Sequence, residues 1–233
     1  MIGIELSAEI TDVCPDLNVL AVSCKIAENT PSDENLWKEI AVEEDALRTS
    51  LKVEDINKFA PIYATRQAYK KLGKDPNRYR PSAEALRRRV LKGMSLYRID
   101  TLVDLINLVS LKTGYSIGGF DSGKINGNLI LGVGKEGEVY HGIGRGELNI
   151  AGLPVYRDSV GGIGTPTSDE ERTKIGMETK SLLMIINGYS GREGLFEAGK
   201  YSLDLLRRYL NISEIEVSLI TKEGKTECKV DNF

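Results

Sequence analysis

The sequence predicts a single α+β domain, and three observations predict it. Between residues 32 and 113 apolar residues recur at helical spacing, in segments bounded by Pro and Gly. After Gly114 the chain becomes rich in glycine and in short β-like runs. No internal repeat, low-complexity stretch or linker separates the two halves, so all 233 residues (1–233) are expected to share one core.

Taken in order, residues 2–10 and 18–26 read as extended. The second is a buried strand, because Val19, Leu20, Ala21 and Val22 are contiguous. A helix is predicted over 32–52, with Ser32 as N-cap and Trp37, Ile40, Ala41, Ala46 and Leu47 on its apolar stripe. Another runs over 62–72 and ends at Gly73. A loop holding Pro76 and Pro81 leads into a third, from Pro81 and Ser82 to Leu91, stopped by Gly93. Asp100 or Thr101 caps a fourth, over 102–113, where Leu102, Leu105, Ile106 and Val109 fit helical spacing and Gly114 ends the element. Strands are predicted over 128–133, 138–141, 147–150, 153–158 and 181–186. A last helix over 201–210 is followed by a hairpin over 214–221 and 226–230 that turns at Glu223 and Gly224.

Charge is unevenly placed. Residues 61–98 carry eleven basic side chains against Asp75 and Glu84, a local +9 in a chain of formal net charge −3. A concentrated positive segment attracts polyanions and releases their counterions, which points to a phosphate-bearing partner, with RNA first. Lys70, Lys71, Arg78, Arg80, Arg87, Arg88 and Arg89 are the candidate contacts. Arg87 to Arg89 are consecutive, so they point about 100° apart and cannot all share one face. The plainer reading is a solvated face opposite the acidic stretch 28–55, which holds nine acids against Lys38, Arg48 and Lys52.

Composition excludes several classes. With 41% hydrophobic and 28% charged residues the chain reads as globular. No apolar run approaches the ~20 residues that cross a bilayer. The start, Met1-Ile2-Gly3-Ile4-Glu5-Leu6, has no signal-type core. Cys14, Cys24 and Cys228 lack metal-ligand spacing, and their odd number argues against a disulfide framework, so a cytoplasmic protein with reduced thiols is expected. The single histidine, His141, rules out a His-rich metal site and leaves few ways to build a Ser-His-Asp relay. Its plain reading is a strand-end residue. The glycine-rich run 142–146 and the one at 161–164 lack the Lys-Ser/Thr of a phosphate loop and open no helix, so they read as turns.

Several motifs lie in family order. Leu102-Val103-Asp104-Leu105-Ile106-Asn107, Leu111, Gly114 and Gly119-Phe120-Asp121 resemble the editing domain of the phenylalanyl-tRNA synthetase β-subunit, the B3/4 domain. Freestanding relatives of that domain are a closer likeness. They share Tyr69-Lys70, Gly73-Lys74-Asp75-Pro76, Arg78-Tyr79-Arg80-Pro81-Ser82 and Glu84-Ala85-Leu86. They also share Gly142-Ile143-Gly144, Gly152-Leu153-Pro154-Val155, Gly164-Thr165-Pro166-Thr167-Ser168-Asp169 and Glu171-Arg172-Thr173. The resemblance is dense over residues 60–190. It implies a mixed α/β fold with a pocket for the amino-acid moiety of an aminoacyl-tRNA, and hydrolysis of a mischarged tRNA in trans, with no ligase activity. One position departs: Gly118 stands where the family motif H-A-F-D has histidine, so a side chain that would position water or the tRNA end is lost and tyrosine specificity does not carry over.

An aminoacyl ester is already activated, so a positioned water and a stabilised oxyanion suffice, without cofactor or metal. Asp121, Asp158, Asp169 and Glu171 are the candidates to orient water. Asn107, Gly118, Gly119, Thr165, Thr167, Ser168, Arg172 and Thr173 are the candidates to bind substrate, with backbone N–H groups of 161–164 also open to the oxyanion. For Asp104 and Asn107 the structural alternative is helix packing or capping; for 165–173 it is a turn leading into a strand. Three functions remain open at this point. One is a trans-editing deacylase acting on tRNA, with transient synthetase contact open. The others are a non-catalytic RNA or aminoacyl-tRNA binder, and a small-molecule amino-acid binder or hydrolase. The sequence does not indicate an oligomeric state.

Overall fold

Alternation along one strand organises the molecule, which the computed structural model describes over residues 2–233. In chain order the elements begin with β1 (Ile4–Leu6), α1 (Ala8–Thr11), β2 (Asn18–Ile26) and α2 (Glu34–Ser50). Next come α3 (Ala60–Lys71), α4 (Ser82–Leu91), α5 (Thr101–Thr113), β3 (Ile117–Asp121) and β4 (Leu129–Val133). The short strands β5 (His141–Gly142), β6 (Gly146–Glu147), β7 (Pro154–Arg157) and β8 (Gly162–Gly164) precede β9 (Ser181–Gly188). The chain closes with α6 (Leu195–Tyr209), β10 (Ile212–Thr221) and β11 (Gly224–Cys228).

β2 runs through a five-stranded antiparallel sheet ordered β11-β10-β2-β9-β3. Its Leu20, Val22, Cys24 and Ile26 face one way and pack with α2, α5 and α6. Val19 and Ala21 face the other way, onto a second sheet ordered β1-β4-β7-β8. Neighbouring β9 repeats the division, with Leu182, Met184 and Ile186 toward the helices and Leu183 and Ile185 toward the second sheet. The architecture is therefore helices on sheet on sheet, and the predicted α+β class is what the chain adopts. β5 and β6 form a separate small hairpin.

Local chemistry explains where element ends differ from expectation. Asp33, not Ser32, caps α2: its carboxylate accepts the N–H groups of Asn35 at 2.8 Å and Leu36 at 3.0 Å, a cap worth about 1 kcal/mol. Residues 2–10 hold β1 and then a short helix. The strands expected at 138–141 and 147–150 shrink to the two-residue β5 and β6, and the final strand ends at Cys228. α6 begins at Leu195, six residues before the expected start. Gly199 obscures it in the sequence, yet the helix needs that glycine: a Cβ there would lie 2.5 Å from Leu20 Cδ2 and 2.9 Å from Phe233 Cε1. Gly114, at φ +76°, ends α5 as predicted. The sequence reading did not anticipate β3 and β8, because both carry the glycines that strands usually lack. Among the described residues no helix is long and apolar enough to cross a membrane.

Candidate functional site

β3 is the edge strand of the larger sheet, and beside it, on the helical side, lies a cavity of about 360 Å³. α5 lines it with Val103, Ile106, Asn107 and Ser110, a single helical face at i, i+3, i+4 and i+7. α4 contributes Ser82 and Leu86, and β3 contributes Ile117 and Gly119. Thr165, Ser168, Asp169, Lys174 and Ile175 close the third side, with Ile143 of the β5–β6 hairpin at the mouth. The loop carrying Ile99 into the wall is fixed by Asp104. Its carboxylate accepts the Ile99 N–H at 3.0 Å and the Trp37 indole N–H at 2.6 Å, so Asp104 has the packing role that was one of its two readings.

Asp169 is the one carboxylate lining this cavity. Its Oδ2 accepts the outward N–H of Gly119 at 3.1 Å, capping the sheet edge. Its Oδ1 lies over Gly118 and Gly164, 3.5 Å and 3.0 Å from where their Cβ atoms would be. The residue keeps some accessible surface toward the cavity, but protein crowds the carboxyl on its other sides. The lost hydration disfavours the charged form and pushes its pKa up to about 7, against the single backbone donor that lowers it.

Gly118 does not open a hole in this cavity. Alternation along β3 turns residue 119 toward the helices and residue 118 toward the space between the sheets. A Cβ at 118 would meet the buried Phe120 ring at 2.7 Å, and one at 164 would meet the same ring at 2.5 Å. The ring thus rests on two glycines, and the expectation that residue 118 lines the substrate pocket is corrected by the direction of the strand. Gly118→Ala is expected to destabilise the protein by about 1–3 kcal/mol through overpacking. Gly119→Ala is expected to cost less, because the Ile106 Cδ1 it would meet at 2.6 Å ends a side chain bordering free space. Urea midpoints of the two variants check the order, and equal midpoints would contradict it.

The other candidate acids lie outside the cavity. Asp158 accepts both Arg172 guanidinium donors at 2.9 Å and the N–H groups of Asn126, Val160 and Gly161. Though burial opposes them, these donors hold its pKa down to about 2. With its oxygens occupied it braces a loop and orients no water, and Arg172 is spent on the same contact. The N–H of Gly161 is consumed there too. Asp121 accepts from Gly123 N–H and the Thr179 hydroxyl at 3.0 Å each. Glu171 pairs with Lys174 at 2.5 Å beside the cavity, and that hydrogen bond lowers its pKa.

The Thr/Ser cluster divides. The Thr165 hydroxyl donates to Ser168 O at 3.0 Å and accepts the N–H groups of Thr167 and Ser168 at 3.1 Å, so it builds the turn that was its alternative reading. Thr167 hydrogen-bonds the buried Tyr69 hydroxyl at 2.9 Å and does not line the cavity. Thr173 is buried away from it, and no partner for its hydroxyl exists among the described residues. Asn107 does line it, and its carboxamide makes no hydrogen bond.

The basic segment divides as well. Arg87, 2% exposed, donates to the carbonyls of Leu111 and Lys112 and stacks on Phe59 at 3.9 Å. It caps α5 and is closed to RNA. Arg88 hydrogen-bonds Glu84 at 2.7 Å, and Arg89 hydrogen-bonds Ser95 O at 2.6 Å while covering Tyr97 at 3.7 Å. Lys70, Lys71, Arg78 and Arg80 are exposed. Ser82, Lys174 and the aliphatic wall of Val103, Ile106 and Ile175 were not among the predicted site residues. Helical periodicity marked Ile106 as core, and it cannot tell a core wall from a cavity wall. Among the described residues no three His, Cys, Asp or Glu side chains gather to hold a metal ion.

A model of the B3/4 domain matches residues 64–196, a span that contains the cavity's edge strand, α4, α5 and Asp169. The fold is similar to a crystal structure of an N-terminal fragment of the phenylalanyl-tRNA synthetase β-subunit from Pyrococcus horikoshii, with a TM-score of 0.51 and 16% identity. The match covers 97% of this chain and 54% of that fragment, so the chain spans about half its length and the likeness is one of fold. No curated protein matches the sequence.

Proposed function

The chain belongs to the B3/4 domain family, and from that premise we propose that it hydrolyses the ester of a mischarged aminoacyl-tRNA in trans. The observation that carries this reading is the cavity at β3: amino-acid-sized, walled by aliphatic side chains, with one carboxylate. The family relation to a tRNA synthetase β-subunit favours a tRNA-linked substrate, and the exposed cations on α3 and the loop after it supply phosphate contacts. The hydrolytic step asks little of the protein. Water adds to the ester carbonyl, the oxyanion is held, and the ribose oxygen leaves with a proton. Asn107 and Ser82 project hydrogen-bonding groups into the cavity that no protein atom uses, which suits them to hold water and carbonyl. Transient contact with a synthetase and a cytoplasmic setting fit the same reading, as does one domain spanning the chain.

A panel of mischarged tRNAs, including phenylalanine tRNA carrying tyrosine, tests it. Release of one amino acid well above the spontaneous rate supports deacylation. No release together with salt-sensitive tRNA binding would instead leave a non-catalytic binding module. Binding of amino acids with no tRNA affinity would leave a small-molecule protein.

Changing Lys70, Lys71, Arg78 and Arg80 to Ala together is expected to weaken tRNA binding without unfolding the chain. Each lost phosphate contact should lower the slope of log affinity against log salt by about 0.7–0.9. An unchanged slope in a salt titration would remove this face from the RNA site.

A further inference from the structure

We propose that Asp169 is the anchor for the free α-ammonium group of the aminoacyl moiety, so that this protein takes aminoacyl esters and rejects those whose α-nitrogen is acylated. The inference rests on the reading of the cavity as an aminoacyl site, and it assigns Asp169 the task of binding cation in place of orienting water.

Four observations converge. Asp169 lines the cavity and shares it with no other carboxylate. Its carboxyl has one hydrogen bond, from Gly119 N–H to Oδ2, and Oδ1 accepts none. No cation in the described structure lies within ion-pair distance of it. Lys174, the basic residue lining the same cavity, is committed to Glu171 at 2.5 Å. A carboxylate enclosed without a counterion is a costly arrangement, and proteins retain such a group where a ligand supplies the missing charge. Burial, which pushes its pKa up, disfavours the charged form until a partner arrives.

The carboxylate keeps acceptor capacity for a cation. Oδ1 accepts no hydrogen bond and Oδ2 accepts one, so a compact ammonium can direct an N–H to Oδ1. A Cβ at 164 would stand 3.0 Å from that oxygen, so the glycine there keeps a side chain off Oδ1. An acylated nitrogen fails twice: it is uncharged, and its acyl group occupies the space beside the carboxylate. Esters of the formylated or peptidyl type are therefore outside the substrate class.

The test uses a non-hydrolysable mimic, leucine joined through an amide to the 3′ position of 3′-amino-3′-deoxyadenosine, and its N-acetyl derivative. Both are titrated calorimetrically into the full chain and into Asp169→Asn. The free-amino compound is expected to bind the unmodified protein about 10- to 100-fold more tightly than the acetylated one, the range of a charge-assisted hydrogen bond. Asp169→Asn is expected to erase that preference with little effect on the acetylated compound. Equal binding of the two compounds, preference surviving in Asp169→Asn, or no binding of either would overturn the proposal. Ester turnover is measured alongside. Turnover of free and acetylated leucyl-tRNA at one rate discards the anchor and keeps the deacylase. Amino-selective binding without turnover of any ester keeps the anchor and discards the deacylase.

Discussion

Asp169→Asn is expected to lower deacylation of free-amino aminoacyl-tRNA by about 100-fold while making the protein more stable at pH 8. The two effects have one cause. Asparagine keeps the volume and an oxygen to accept the Gly119 N–H at 3.1 Å, so the sheet edge stays capped. What it removes is charge, and a hydrogen bond to a charged partner in an enclosed site is worth roughly 1.5–3 kcal/mol. Stability runs the other way. The carboxyl pKa is about 7 in the fold against an ordinary value of 3.8, so between those values the folded protein holds a proton that the unfolded chain has released. Stability associated with Asp169 is therefore full below pH 4 and is lost as pH rises through 7. The neutral amide escapes that loss, which amounts to roughly 2 kcal/mol once solvent access from the cavity is allowed for. The titratable groups nearby are the phenols of Tyr140 and Tyr156, which burial keeps protonated, with Lys174, Glu170 and Glu171 beside the cavity and His141 4.0 Å from Glu170. Both proteins share them, so the difference between their urea midpoints at pH 5 and pH 8 isolates Asp169. A variant less stable than the parent at pH 8, or one as active as the parent, would refute the assignment.

The fold was legible where an element carries a plain apolar pattern. α4 and α5 show helical spacing with clear end residues, β2 shows an unbroken apolar run buried on both faces, and all three lie close to where the sequence places them. β3 was illegible for a physical reason. Its Gly118 and Gly119 admit the Phe120 ring on one side and the Ile106 side chain on the other, contacts that exist only once the strand is folded against α5 and the second sheet. The candidate site was half legible. Asn107, Thr165, Ser168, Asp169 and Gly119 do gather, because they lie within the family motifs. Asp158, Arg172, Asp121 and Thr167 belong to the same polar stretches but are consumed: Asp158 and Arg172 by each other, Asp121 by Thr179 and Gly123 N–H, and Thr167 by Tyr69. Sequence shows which residues can hydrogen-bond. Only the three-dimensional arrangement shows which of them still have a valence free.

Glu84→Ala is expected to be the most destabilising substitution in the basic segment, costing about 3–5 kcal/mol, although it removes a negative charge from a stretch that would seem to gain affinity for RNA. The Glu84 carboxylate is fully enclosed and joins two arginines: Arg66 Nη1 at 2.8 Å on one oxygen and Arg88 Nε at 2.7 Å on the other, with Arg80 3.9 Å away. Arg66 is itself buried and also donates to Pro76 O and Asn77. Removing Glu84 leaves the Arg66 guanidinium inside the protein without its anion and frees the loop that carries Arg78 and Arg80 from α4. The segment that reads as +9 in sequence is thus largely neutralised or engaged from within. Glu84 accounts for Arg66 and Arg88, helix-end carbonyls for Arg87, Ser95 O for Arg89, the carbonyls of Asn149 and Ala151 for Lys74, and Glu34 for Arg98 at 2.5 Å. Lys70, Lys71, Arg78, Arg80 and Lys92 remain on the surface. The segment's two roles therefore separate in one experiment: Glu84→Ala should shift the urea midpoint strongly, whereas Arg78→Ala and Arg80→Ala should leave it in place and lower tRNA affinity. A Glu84→Ala protein within about 1 kcal/mol of the parent would show that the enclosed cluster carries little of the fold, and would return Arg66 and Arg88 to the set of cations open to a phosphate partner.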